Sequence, residues 1–281
     1  MTTAARAERV AAVRPARAVR LLSWPSPSRV VWAILRRHLD VFRRTYRTNL
    51  MPHFVDPLFW MAAFGLGLGA YMPDIRGVGY LQWFAPAMLV SSAMWSSAYE
   101  CTYGTYIRLK YPPLFESMLA APATLDDVAL SEVLWAGGKS AGYSVIILAV
   151  LFVVGLVPAW TGLLLPLVIL LEGVLIAALS LVFAATARTI DAFAFYYTLG
   201  VTPMFVLSGI FFPLDGLPVP LQWLAWLNPL SHFSVLARGL AIGTGAYAVG
   251  AEFWRSALWV AVAALLVVPV GTNLMRRRLA R

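Results

Sequence analysis

Glu100, Lys139 and Glu172 are ionisable residues set within or at the edge of long apolar runs. A charge at the centre of a bilayer is costly, so such residues mark ion pairs, proton relays or polar cavities. Glu100 and Lys139 fall near the same-side ends of two runs, where mutual pairing or a snorkelling lysine stem is expected. Glu172 lies deeper. It suits a protonated carboxyl, a hydrogen bond between helices, or a face on a polar cavity. Proton-coupled secondary transport would need such a group at the midplane, usually with inverted repeats of broken helices. Glu172 is its one good candidate, and the chain shows no inverted repeat.

Other chemistries find less support. No Gly-x-x-x-x-Gly-Lys-Ser/Thr motif occurs, so no ATP phosphate cradle is expected in this chain. The run GLGLGA (residues 65–70) sits in an apolar stretch, where small residues permit close helix packing. His38, His53 and His232 lack ligand spacing, the single Cys101 pairs with nothing, and no metal site is expected. A membrane transferase would need clustered acids or histidines at one face, and Asp74, Asp215, Glu252 and His232 are scattered.

Composition decides the class. The 281 residues are 60% hydrophobic and 12% charged, with a mean hydropathy of +0.75, against about a quarter charged in soluble domains. This is the balance of a polytopic all-α membrane protein. The net charge of +9 would suggest nucleic acid elsewhere. Here 11 of 22 basic residues precede Pro52 and four more close the chain, so the expected partner is anionic membrane lipid and not nucleic acid.

Residues 1–27, rich in Ala, Arg, Ser and Pro, are expected to be a disordered basic cytoplasmic tail without a cleavable signal. Residues 28–52 form an amphipathic helix in the membrane interface: Val31, Leu35, Leu39, Phe42 and Tyr46 recur at helical steps, with arginines on the other face. A solvated helix against a soluble partner is the alternative. Residues 53–281 form the transmembrane domain. Six apolar runs approach or exceed the ~20 residues that span hydrocarbon: 54–72, 80–107, 130–157, 163–187, 192–212 and 253–275. Basic residues near the run ends put both termini in the cytoplasm, with Arg76, Arg238 and Arg255 alone opposite.

Two stretches interrupt the pattern. In YPPLFESMLAAPATLDDVALSEVL (111–134), Pro112 and Pro113 end the second run, residues 114–120 read as helical turns, and Pro122 breaks them. Thr124 is the expected N-cap of the next helix, with Asp126 and Asp127 exposed in its first turn. A docking surface and an ordinary interfacial loop both fit this spacing. Residues 211–252 are too broken by Pro and Gly to cross twice and too apolar for a free loop. They read as two short re-entrant helices, 217–227 and 232–242, joined at Asn228-Pro229.

These stretches also carry a resemblance. YECTYGTYIRLK, FESMLAAPATLDDVALSEVLWAGGK, DAFAFYYTLGVTPMFVLSGIFFPLDGLP and NPLSHFSVLARGLAIG are similar to the type-2 permease family of ATP-binding-cassette exporters, in the nodulation protein J branch of lipooligosaccharide exporters. The resemblance runs from Ser28 to Arg281. It implies a non-catalytic half-transporter in a bacterial inner membrane, paired with a second copy or close paralogue. Two nucleotide-binding ATPase subunits would bind ATP and Mg, with no cofactor in this chain. Leu114, Phe115, Glu116, Met118, Leu119, Thr124, Asp126 and Asp127 would couple to the ATPase. Glu100, Tyr103, Glu172, Phe195, Tyr196 and Phe205 are pathway candidates, although aromatics there suit plain packing equally. Phe211, Phe212, Pro213, Trp223, Trp226 and His232 would form an outer cap. The implied cargo is lipooligosaccharide, polysaccharide or a lipid-like molecule, with hydrophobic drugs as the alternative.

Overall fold

The computed structural model describes residues 22–110 and 123–280. Its regular elements are helices, with a single isolated bridge between Ile75 and Val78. Helix α1 runs from Val30 to Trp60 and buries Val31, Ile34 and His38 at three- and four-residue steps. The expected break near residue 52 is absent. Pro52 and Pro57 lie inside the helix, and a wider π turn, Met61–Gly67, follows them. In apolar surroundings a broken helix leaves peptide groups unsatisfied, so the chain absorbs each proline's missing donor locally and continues.

Helix α2 (Tyr80–Tyr99) leads through a π turn, Glu100–Gly104, into α3 (Thr105–Lys110). Helix α4 (Leu125–Val153) begins five residues before the expected third run, because Thr124 caps it. A 3-10 turn, Trp160–Leu164, opens α5 (Leu165–Thr186). The expected fifth run is shorter than its apolar residues suggest: α6 (Ala192–Tyr196), a π turn (Tyr197–Val201) and α7 (Thr202–Val206) end well before Phe212. Helices α8 (Val219–Leu227) and α9 (Pro229–Ala241) follow, then α10 (Ala251–Leu279). Helix α9 starts at Pro229 and not His232, since the Asn228 side chain accepts from Leu230 N at 3.0 Å and supplies the cap.

Among the described residues three helical stretches are long and apolar enough to cross a membrane: Leu125–Val153, Trp160–Thr186 and Gly245–Leu279. Helix α2 is buried on nearly every face, and α5 packs against α2, α4, α9 and α10. Small residues set the closest approach. A Cβ on Gly173 would stand 2.7 Å from Gly137 Cα and 3.0 Å from Ser97 Oγ, so α2, α4 and α5 meet almost backbone to backbone. Ser97 and Ser140 share a 2.8 Å hydrogen bond beside that contact.

Asn273 Nδ2 donates to Ser23 O at 2.6 Å, which brings both ends of the described chain to one end of the bundle. This is the terminal end. Helices α8 and α9 lie at the far end, against the starts of α2 and α10.

Candidate functional site

At the terminal end, charged groups hold both edges of the segment between α3 and α4. The π turn carries Glu100 into an ionic cluster. Lys139 Nζ donates to Glu100 Oε2 at 2.8 Å, the pairing that their positions suggested. Arg108 Nη1 donates to Glu100 Oε1 at 2.9 Å and Arg108 Nε to Glu132 Oε2 at 3.1 Å. Thr105 Oγ1 donates to the same Glu132 oxygen at 2.7 Å, and His38 Nε2 stands 3.3 Å from Glu132 Oε1. Glu132 is 0% exposed. A charge so buried is tolerated only when its attraction and hydrogen bonds are nearly complete, and here α1 and α3 supply them.

The start of α4 is held differently. Thr124 and Asp127 form a capping box: Asp127 N donates to Thr124 Oγ1, and Thr124 N to Asp127 Oδ2 at 2.8 Å. Ser28 N and Oγ also donate to the Asp127 carboxylate, at 2.6 and 2.9 Å. Asp126 accepts from Ser26 N at 3.2 Å and lies 2.8 Å from Arg276 Nε. Both aspartates were expected to be exposed, and both are buried. The extended segment before α1 crosses over the first turn of α4 and spends their acceptor capacity on its own amides and hydroxyls. They therefore stand in the long apolar helix itself, as ties between three parts of the chain. Leu114, Phe115, Glu116, Met118 and Leu119 lie outside the described residues.

The pathway candidates separate into groups. Tyr103 stacks on Tyr197, with ring centroids 5.8 Å apart, and meets Phe193 edge-on at 5.0 Å. Trp95 stacks on Tyr197 at 5.7 Å and meets Phe205 at 6.1 Å, so the aromatic line continues toward the far end. Tyr196 turns against Phe183 at 4.9 Å and shares a 2.9 Å hydrogen bond with Ser180. Phe195 points out of the described chain, 68% exposed. Glu172 is 0% exposed on α5, with no hydrogen-bond partner on either carboxyl oxygen among the described residues. Glu100 belongs to the ionic cluster. The structure thus joins Tyr103 and Phe205 in one aromatic line through Trp95 and Tyr197, and leaves Phe195, Glu172 and Glu100 elsewhere.

At the far end, Phe211 packs against Trp60, Phe64, Phe84 and Phe205, and its carbonyl accepts from Tyr80 OH at 3.0 Å. His232 is held by Trp226 O at 2.8 Å and Ser256 Oγ at 3.2 Å, and stacks on Trp259. Trp223 lies 6.3 Å from Trp226, while Phe212 is half-buried and Pro213 exposed.

Sequence reasoning missed the residue that ties this end together. Arg238 is buried in α9, its guanidinium 3.6 Å from the Trp83 ring centroid. It donates to Trp83 O at 3.0 Å, Gly209 O at 2.7 Å and Ile210 O at 3.4 Å. An arginine within the apolar string VLARGLA was the available signal. The Arg108–Glu132 pair was missed as well, although both residues flank the same proline-rich gap.

The family model described as ABC-2 type transporter matches residues 29–241. The chain is 33% identical to nodulation protein J of Rhizobium leguminosarum bv. trifolii over 254 residues, covering 89% of this chain and 94% of that one. It is 32% identical to nodulation protein J of Neorhizobium galegae, over 92% and 95% of the two chains. Identity to the inner membrane transport permease YadH of Escherichia coli is 28%, over 72% of this chain and 77% of that one. No solved structure matches.

Proposed function

Since the chain belongs to the ABC-2 type transporter family, we propose that it builds half of an export pathway for an amphipathic, sugar-bearing lipid, lipooligosaccharide foremost. It is the multi-pass membrane subunit of an ABC transporter, and ATP hydrolysis belongs to a separate ABC ATPase subunit. In this reading the chain crosses the inner membrane six times, with both termini in the cytoplasm. A second copy or a close paralogue completes the pathway, and two ATPases bind ATP and Mg beneath it. The segment between α3 and α4 faces the ATPase, and α8 and α9 re-enter from the outer side as a cap.

One observation carries the reading: both edges of the 111–124 segment are pinned to the bundle by buried charge, through Arg108 to Glu100 and Glu132 and through Asp127 to Ser28. A push on a segment framed in this way is passed to α2, α4 and the N-terminal strap together, because paired buried charges resist separation. The aromatic line through Trp95, Tyr103, Tyr197 and Phe205 supports a cargo that stacks sugars and slides acyl chains.

The test is the double variant Phe115→Asp/Leu119→Asp, expressed with the ATPase encoded alongside. Membrane insertion stays normal, and co-purified ATPase falls by roughly tenfold or more, as for loss of an apolar hot spot. Unchanged ATPase recovery would refute the docking role. In the same preparation, lipid extracts that stimulate ATP turnover report the cargo class.

A further inference from the structure

Helix α1 and helix α4 enclose a groove of about 930 Å³ that has no part in coupling or in the aromatic line. Its floor is made by two glycines one turn apart on α4, Gly138 and Gly142. A Cβ built on either would meet nothing within 4 Å. The contrast with Gly137 is informative: a Cβ there would press on Leu170 O at 2.9 Å, so that glycine exists for helix packing. Glycine is unfavourable inside a helix, and no neighbour demands it at 138 or 142. What their missing side chains leave is open space.

The walls are apolar and face outward. Trp32 is 74% exposed, Leu39 38% and Ile146 40%, and all three line the groove. Its inner side is closed by Trp135, which stacks on His38 at 5.4 Å and meets Phe42 at 5.9 Å. The stretch from Trp32 to Leu50 extends roughly 27 Å at 1.5 Å per residue. That exceeds one leaflet of a ~30 Å hydrocarbon core. Arg36 and Arg43, seven residues apart and therefore on one helical face, stand exposed at the rim. Among the described residues Arg43 pairs with Asp40 alone, at 3.9 Å and in the open. The Lys139 ammonium is already held by Glu100.

We propose that this groove is a binding site for one anionic phospholipid of the surrounding membrane, its acyl chain lying over Gly138 and Gly142 and its phosphate held by Arg36 and Arg43. An acyl chain fills a narrow apolar channel without hydrogen bonds, and a phosphate matches two guanidinium forks. A second copy of the chain fits poorly. In a two-fold contact each surface meets itself, which would set Arg36 and Arg43 against their own copies. The site goes beyond the transport reading and needs only that the chain be embedded in a membrane.

The test uses the full chain purified from an equal mixture of phosphatidylglycerol and phosphatidylcholine, with retained lipid counted by native mass spectrometry. One phosphatidylglycerol is expected to stay bound, favoured roughly tenfold or more over phosphatidylcholine, as two near-surface arginines imply. Arg36→Gln/Arg43→Gln keeps the groove and loses the preference. Gly138→Leu/Gly142→Leu fills the floor and loses the retained lipid of both kinds; leucine favours helix, and circular dichroism checks that the helices persist. Equal retention of the two lipids by the unaltered chain overturns the proposal, as does full retention by the filled variant. Conversion of a dimer to a monomer by the filled variant also overturns it, by making the groove a seat for the second copy.

Discussion

Arg238 is held by carbonyl oxygens and an indole face, where Glu132 is held by a guanidinium and a hydroxyl. The carbonyls of Gly209 and Ile210 lie just past α7, where the backbone leaves the helix and its acceptors need donors. Arg238→Leu leaves Trp83, Gly209 and Ile210 short of a partner, at about 1–3 kcal/mol for each carbonyl left dry. The thermal midpoint of the purified chain should fall clearly, and Arg238→Lys should recover part of the loss because one ammonium cannot span all three oxygens. An unchanged midpoint in Arg238→Leu would show that the pin carries no weight. Glu172 makes the opposite prediction. Its carboxyl is buried without a partner, so Glu172→Leu should stabilise the chain by about 1–3 kcal/mol. Glu172→Gln should keep most ATP-driven transport, with no sensitivity to an uncoupler at constant ATP. Collapse of transport in Glu172→Gln together with uncoupler sensitivity would favour a proton-coupled carrier instead.

Elements meet here through a few polar ties set among extensive apolar contacts. Asp127 serves two of them at once, the cap of α4 and the clamp on Ser28. Removing a capping side chain costs about 0.5–2 kcal/mol. Asp127→Ala should therefore lower stability by more than Ser28→Ala, which removes the hydroxyl half of the clamp and spares the Ser28 amide bond and the cap. Chemical denaturation of the three proteins in one detergent checks the order, and equal losses would mean that neither the cap nor the Ser28 amide tie contributes. The π turn at Glu100–Gly104 belongs to this scale too, since it delivers Glu100 to both Arg108 and Lys139.

For the whole molecule the number of crossings turns on α8 and α9. Helices α8 and α9 are short, and Asn228 joins them while its amide donates to Met204 O at 2.7 Å. If they dip in and return, their ends and their junction are reached from one side only. In a Cys101→Ser background, single cysteines at Asp215, Leu227 and Ala246 should all react with an impermeant thiol reagent added from outside. Leu227 is the better probe of the junction because it is 60% exposed while Asn228 is buried. Reaction at position 227 from the cytoplasmic side alone would mean two true crossings and the loss of the cap.

Local chemistry was legible in the residues themselves. Hydropathy marked a membrane protein, helical periodicity marked α1 but put Leu35 and Leu39 on its apolar face where the structure buries Ile34 and His38, Thr124 announced a cap, and Asn228-Pro229 announced a connection. Each depends on neighbours within about one turn, where spacing alone sets geometry. The helix through Pro52 and Pro57 was not legible, because proline breaks a helix in water and is absorbed where packed helices and lipid leave no alternative. Nor was the burial of Asp127 or the seat of Arg238. Their partners stand 99 and 155 residues away along the chain. No local pattern encodes such a meeting; it exists only once the helices have packed and each buried polar group has had to find whatever partner lies within reach.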